Sequence, residues 1–235
     1  PSPLGADEWL SRLAAHPLVG HPGAVWRYHH SFALLGILLA RRAGTTLEDH
    51  LRRVVLDPLG MPDTGSWVPE DERHRLVGAY RLEDGRLVEV EPAAGGPYAG
   101  TPPVDVSHGE LVSTASDYAA FLAMLVDGRA ADGSTYLSDG LRGEMVRDQV
   151  DPVLKTPGSF AWSDSFWDGL GWGYGGAVVT EGEQRGMFSW SGGAGTDFAL
   201  LPDGRFVVQL TQTEMCPAVM PAFGEVQAAA LGTGG

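Results

Sequence analysis

Val25-Trp26-Arg27-Tyr28-His29-His30-Ser31-Phe32-Ala33-Leu34-Leu35-Gly36 is the stretch from which the rest of the chain can be read. Gly20-His21-Pro22-Gly23 ahead of it forms a turn, so the stretch emerges from a chain reversal. Phe32, Leu34, Leu35, Ile37, Leu38 and Leu39 then cover most of the circumference of a helix over residues 31–43, which predicts an element buried on several sides. Gly44 closes that helix. A turn thus delivers Tyr28, with His29 and His30 beside it, to the start of a helix.

Working outward, Trp9, Leu10, Leu13 and Ala14 recur at helical spacing over residues 6–15, with acids in the first turn. Downstream, Thr45-Thr46-Leu47-Glu48 has the spacing of a capping box, and Leu47, Leu51, Val54 and Leu56 line the helix it opens. Pro58-Leu59-Gly60 ends that helix. Alternation on either side of Asp84-Gly85 predicts a hairpin, residues 80–83 against 86–90. Residues 92–109 are rich in Pro and Gly and read as a loop. A helix follows at about 116–125, with Tyr118, Phe121, Leu122 and Leu125 on one face, and another after Ser138. Residues 150–169 form a long loop carrying Phe160, Trp162, Phe166 and Trp167. The pattern then turns to strands at 170–179, 185–189, 196–201 and 205–212, with Pro202-Asp203-Gly204 turning the last pair. A helix over 219–231 comes last. Helices first and antiparallel strands later is an α+β pattern. It is read as one domain over 1–235, with residues 66–109 as a hairpin-and-loop insertion.

The chain has 235 residues, 43% of them hydrophobic, enough to bury a core without disulfides or metals. The formal net charge of -14 repels phosphate backbones and anionic lipid, which argues against nucleic-acid or membrane partners. The longest apolar run, Phe32–Ala40, is too short for a bilayer-spanning helix. One cysteine, Cys216, excludes an intrachain disulfide and leaves the compartment open.

Several chemistries lack their signature. There is no Gly-x-Ser-x-Gly elbow, no His-Glu-x-x-His, and no glycine fingerprint between a strand and a helix. Of the seven histidines, only His29-His30 are adjacent. Neighbours on a loop point to different sides, so the pair is a weak metal signal, and no metal site is assigned.

Three segments together carry a resemblance. The first is the Tyr28 stretch, continued by Pro58-Leu59-Gly60-Met61-Pro62-Asp63-Thr64-Gly65. The second is Gly109-Glu110-Leu111-Val112-Ser113-Thr114-Ala115-Ser116-Asp117-Tyr118. The third is Phe188-Ser189-Trp190-Ser191-Gly192-Gly193-Ala194-Gly195-Thr196, followed by Pro202-Asp203-Gly204 and Leu210-Thr211-Gln212. In this order and spacing they resemble the motifs of the serine hydrolases grouped as penicillin-binding proteins, class C β-lactamases and β-lactamase-like esterases. The resemblance covers roughly residues 8–230. It implies a β-lactamase/transpeptidase-like fold, an antiparallel sheet flanked by helices, incomplete relative to the family.

The resemblance also implies roles. A serine hydroxyl needs a neighbouring base to act as a nucleophile. Tyr28 stands where the family has its proton-transferring tyrosine, and His30 where it often has Asn or Ser, beside that tyrosine or a substrate carbonyl. The plain alternatives are a tyrosine anchoring the turn and a surface histidine. Trp190, Ser191, Gly192 and Gly193 would edge the substrate site, where glycine lets backbone approach a ligand and a strand N–H can face an oxyanion. Trp190 replaces the basic residue of drug-recognising relatives, which favours esters over carboxylate-bearing substrates. Trp162, Trp167 and Trp172 either line an apolar cleft or pack in the core. Glu110 stands where the family has a small residue, facing the cleft or solvent.

The family's Ser-x-x-Lys is absent from these residues. Lys155 is the sole lysine and Pro152 stands three before it. Lys155-Thr156-Pro157-Gly158 falls in a loop. Either the nucleophile lies upstream in a longer parent, or this is a non-catalytic relative that binds a ligand or partner. The first option predicts an open sheet edge or exposed apolar surface. A small-molecule ester, amide or β-lactam is the expected substrate, an N-terminal segment of the same protein a possible partner, and no cofactor is expected. A metallohydrolase built on the histidines is a third option, which would bind stoichiometric metal.

Overall fold

The computed structural model describes residues 4–102 and 111–232. Its frame is a five-stranded antiparallel sheet in the order β3-β4-β5-β6-β7. The strands are β3 Leu170–Trp172, β4 Ala177–Val179, β5 Phe188–Gly192, β6 Thr196–Leu200 and β7 Phe206–Leu210. The single strand expected over 170–179 is two strands joined by a tight turn. Gly173, Tyr174, Gly175 and Gly176 break it, and Gly175 takes a positive φ of 95°. A Cβ at Gly176 would meet the Phe188 ring 2.6 Å away, so this close packing tolerates no side chain there.

Side chains alternate across the sheet. Phe188, Phe198, Leu200, Phe206 and Val208 face one way, onto Leu122 and Leu125 of the helix Ala115–Asp127 (α5). Leu56, Leu59 and Met61 complete that main core. Ala199, Leu201 and Val207 face the other way, onto Leu231 of the helix Met220–Leu231 (α7). The sheet is therefore a middle layer between helices.

Helices α1 (Ala6–Ala14) and α2 (His30–Ala43) precede it. Ala33 of α2 is packed by Ala6 and Trp9 of α1. The expectation that α2 is buried on several sides is corrected: only Ala33, Gly36 and Ile37 are buried, and Phe32, Leu34, Leu35 and Leu38 are exposed. Next come α3 (Leu47–Leu51), a π-helical segment Arg52–Leu56 and the short α4 (Asp57–Leu59). The cap also differs from expectation. Thr46, not Thr45, accepts the N–H of Asp49, and Glu48 instead accepts the N–H and hydroxyl of Ser66 at 2.8 Å each. The wider π turn brings Leu56 into the core and leaves Val54 exposed, although helical spacing from Leu51 points to Val54.

The hairpin falls where turn chemistry places it, as β1 (Ala79–Glu83) and β2 (Arg86–Glu91). Asp84 and Gly85 both have positive φ, as a two-residue hairpin turn of this type needs. It docks on the chain after β7: Tyr80 exchanges main-chain hydrogen bonds with Gln212 and Glu214, and Arg81 pairs with Glu214 at 2.6 Å. The helix α6 (Asp139–Met145) lies between α5 and the sheet in sequence. No helix among the described residues is long and apolar enough to cross a membrane.

Candidate functional site

Tyr28 is placed by an unusual piece of backbone. His29 has φ 93° and ψ -76°, the dihedrals of a γ-turn with positive φ, a strained geometry for a residue with a Cβ. The turn follows Tyr28 and starts α2 at His30. The His29 ring lies 5.4 Å from the Tyr28 ring. His30 is exposed, with its ring 5.2 Å from that of His29.

On the other side, β5 presents Trp190. Its indole N–H donates to the Tyr28 hydroxyl oxygen at 3.0 Å. Trp190 therefore supplies a polar contact to Tyr28 that the sequence reading did not assign to it. An indole N–H only donates, so the Tyr28 oxygen accepts here and its own proton is directed elsewhere.

Alternation sends Ser191 to the opposite face. Its hydroxyl donates to Asp197 at 2.7 Å. Gln209 and Gln227 also donate to Asp197, at 3.0 and 2.5 Å, so this buried carboxylate is satisfied by neutral donors. The Ser191 side chain thus lies away from Tyr28. Gly192 ends β5 and Gly193 begins the turn to β6; the Gly193 carbonyl accepts from Met215. β4 pairs with β5 only at Ser189 and Phe188, so residues 190–192 have no ladder partner on that side among the described residues. Glu110 lies outside the described residues.

Aromatic rings surround Tyr28. Trp190, Trp162, Phe160 and Trp172 have centroids 5.3, 5.4, 5.5 and 5.6 Å from it, and Trp26 6.4 Å. Trp172 is buried in the cluster around Phe166, Trp167 is half-buried against it, and Trp162 is 71% exposed. Trp26 and Phe160 were not singled out as site residues from the sequence. The usable signal was density: five aromatic residues fall between positions 160 and 172.

The loop bearing these rings is tied down. Lys155 pairs with Asp148 and lies 5.7 Å over the Trp167 ring. Burial works against the Asp148 charge. The Lys155 ammonium and the N–H groups of Trp172 and Val150 outweigh it and hold the carboxyl below its usual range. Trp167 donates to Ser159 at 2.7 Å, and Arg27 donates to the Gly158 carbonyl at 3.3 Å.

Beneath Tyr28 a cleft of about 390 Å³ opens between Trp26, Phe32, Leu35, Trp172 and Tyr174. It is continuous with the exposed side chains of α2. Among the described residues no group of three or more His, Cys, Asp or Glu is arranged to hold a metal ion.

An antiparallel sheet between helices, with a tyrosine just ahead of a helix meeting the third strand, is the arrangement expected of a β-lactamase-like fold. The beta-lactamase family model matches residues 1–228, and the chain belongs to that family. It is 32% identical over 222 residues to an uncharacterized protein of Mycobacterium tuberculosis, covering 91% of this chain and 54% of that protein. It is 29% identical over 190 residues to penicillin-binding protein 4 of Amycolatopsis lactamdurans, covering 74% of this chain and 45% of that protein. Among solved structures, EstCE1, a hydrolase with promiscuous acyltransferase activity, superposes with a TM-score of 0.77 at 23% identity, covering 94% of this chain and 60% of that one. The chain spans about half the length of the curated relatives it matches.

Proposed function

We propose that this chain is the tyrosine-bearing part of a serine acyl hydrolase, and that esters are its preferred substrates over amides and β-lactams. The observation that carries the reading is the Trp190-to-Tyr28 hydrogen bond. It fixes the phenol ring and occupies one acceptor position, so the remaining lone pair and the O–H are available toward the cleft. A group held this way suits passing a proton between a nucleophile and a leaving group. In this reading the free backbone edge at Trp190–Gly192 faces the oxyanion, and Trp190 replaces a cation with a neutral donor. His30, exposed at the start of α2, is assigned to the substrate side of the site.

The nucleophile serine and its lysine are assigned to polypeptide upstream of residue 1. Support comes from the absence of Ser-x-x-Lys in the 235 residues and from the exposed apolar side chains of Phe32, Leu35 and Leu38 next to the cleft. The same absence of a nucleophile also favours a second reading, a non-catalytic binding relative.

Intact-mass analysis after incubation with a fluorophosphonate separates the two. It is run on this chain and on the protein as its gene encodes it. The hydrolase reading expects labelling of the gene product at one serine outside these residues, and none on this chain. Tyr28→Phe and Trp190→Phe then slow labelling, the former by at least about a hundredfold and the latter by about tenfold, the worth of one hydrogen bond. Labelling of neither protein overturns the hydrolase and leaves the binding relative.

A further inference from the structure

Trp162 is exposed, yet it is held in a defined place. Its ring stands edge-on to Tyr28 at 5.4 Å and 81°, and to Phe160 at 5.3 Å and 61°. Phe160 is stacked in turn on Phe166 at 4.0 Å. The loop beneath is fixed by Lys155 to Asp148, by Trp167 to Ser159 and by Arg27 to Gly158. A large aromatic side chain left 71% open to water on an anchored loop forgoes burial its surroundings would otherwise provide. Its open surface lies beside the Tyr28 ring.

Charge in the same place is unfavourable to anions. Lys155, the one lysine, is neutralised by Asp148. Arg27 keeps its positive charge, but its guanidinium is bonded to the main-chain carbonyls of Trp26 and Gly158 and borders the cleft below Tyr28, whose lining does not include Trp162. Asp164 and Asp168 sit on the loop itself, and the chain as a whole carries -14. Lys155 covers Trp167 and not Trp162, so the open Trp162 face offers a flat guest apolar contact and an anion no counter-charge.

We infer that Trp162, seated on Phe160, is the specificity-determining residue of the site and receives an uncharged aryl or apolar group of the substrate, discriminating against carboxylates. This rests on the reading of Tyr28 as the reacting centre, because it names which part of the substrate lies over that residue. The recognition itself needs no nucleophile and can be measured on this chain.

The test titrates the chain with 2-acetylnaphthalene, a ketone mimic of a neutral aryl ester, and with 6-acetyl-2-naphthoate, its carboxylate counterpart. The indole N–H signal of Trp162 is followed by NMR and assigned by its loss in Trp162→Phe. The neutral ketone is expected to shift that signal and to bind at least about fivefold more tightly than the carboxylate. Trp162→Ala weakens its binding about fivefold, the worth of one aromatic pair, while Trp162→Phe stays within about twofold of the original. The unfolding midpoint of Trp162→Ala, measured alongside, stays close to that of the parent chain, since the ring is largely exposed. Equal or tighter binding of the carboxylate, or a folded Trp162→Ala with unchanged affinity, overturns the inference. Selective binding without fluorophosphonate labelling of the gene product retains Trp162 as a recognition residue and removes the hydrolase. Labelling without selective binding does the reverse.

Discussion

His29 shows what a single residue contributes to the site. A γ-turn with positive φ costs a residue bearing a Cβ of order 1–3 kcal/mol, and it persists because both neighbours are held. Tyr28 is enclosed by rings and bonded to Trp190, while His30 begins a fourteen-residue helix. Replacing His29 by glycine is expected to leave stability equal or raise it by up to about 1 kcal/mol. Valine, whose branched Cβ fits positive φ poorly, lowers it by about 1–2 kcal/mol. Urea denaturation of the two variants checks this, and equal stability of both would remove strain from the account. Tyr28 was legible in the sequence because its motif sets it at a turn before a helix. The strain at His29 was not, since histidine, unlike glycine, gives no sign of its φ.

At the level of elements, the motifs that carried the family resemblance turn out to be joined. Asp117, in the second motif, accepts the N–H of Asp63 and the hydroxyl of Thr64 in the first, at 2.8 Å each. Gly65 and Val112 exchange main-chain hydrogen bonds beside them. Their common appearance in sequence therefore has a local physical cause, the fastening of α5 to the loop after α4. The β1–β2 hairpin was equally legible, because Asp84-Gly85 determines it locally. The break between β3 and β4 was missed, although glycines at 169, 171, 173, 175 and 176 announce a close approach. The contact from Trp190 to Tyr28 was not foreseen, because residue patterns give the face of a strand without naming what lies opposite.

The aromatic loop depends on a different kind of link. The Asp148 carboxyl has its pKa lowered in the folded chain, so the stability it adds is fully present above its unfolded value of about 3.9 and disappears as pH falls through the folded value. Tryptophan emission from the loop should therefore change below about pH 4. Asp148→Asn is expected to remove that acid transition and to weaken the loop above about pH 4, because the neutral amide keeps the space without the charge for Lys155. An acid transition unchanged in the variant would assign it to other carboxylates.

Across the whole molecule, the apolar side of α2 stands out. The sequence shows a helix apolar nearly all round, which predicts burial, and the fold buries only one stripe of it. Leu38 is 61% exposed, with Leu34 and Leu35 four and three residues before it on the same side. Such a surface is expected to bind the dye ANS. Replacing Leu34 and Leu38 by glutamate should abolish that binding while changing unfolding free energy by no more than about 0.5 kcal/mol per site, as these side chains are already in water. Loss of folding in the double variant would mean that this face supports the chain internally.

The hydrogen bond between Trp190 and Tyr28 spans 162 residues. Closing so long a stretch of chain costs entropy before any contact repays it, and contacts of this separation slow folding. The two halves of the site lie far apart along the chain, and neither can assemble the site locally without the other. Competence is then a property gained late in folding, after β5 has found its neighbours and the Tyr28 turn has been drawn against it. A partly folded chain in which β5 and the Tyr28 turn have not met is expected to lack this contact, however rich in helix it is.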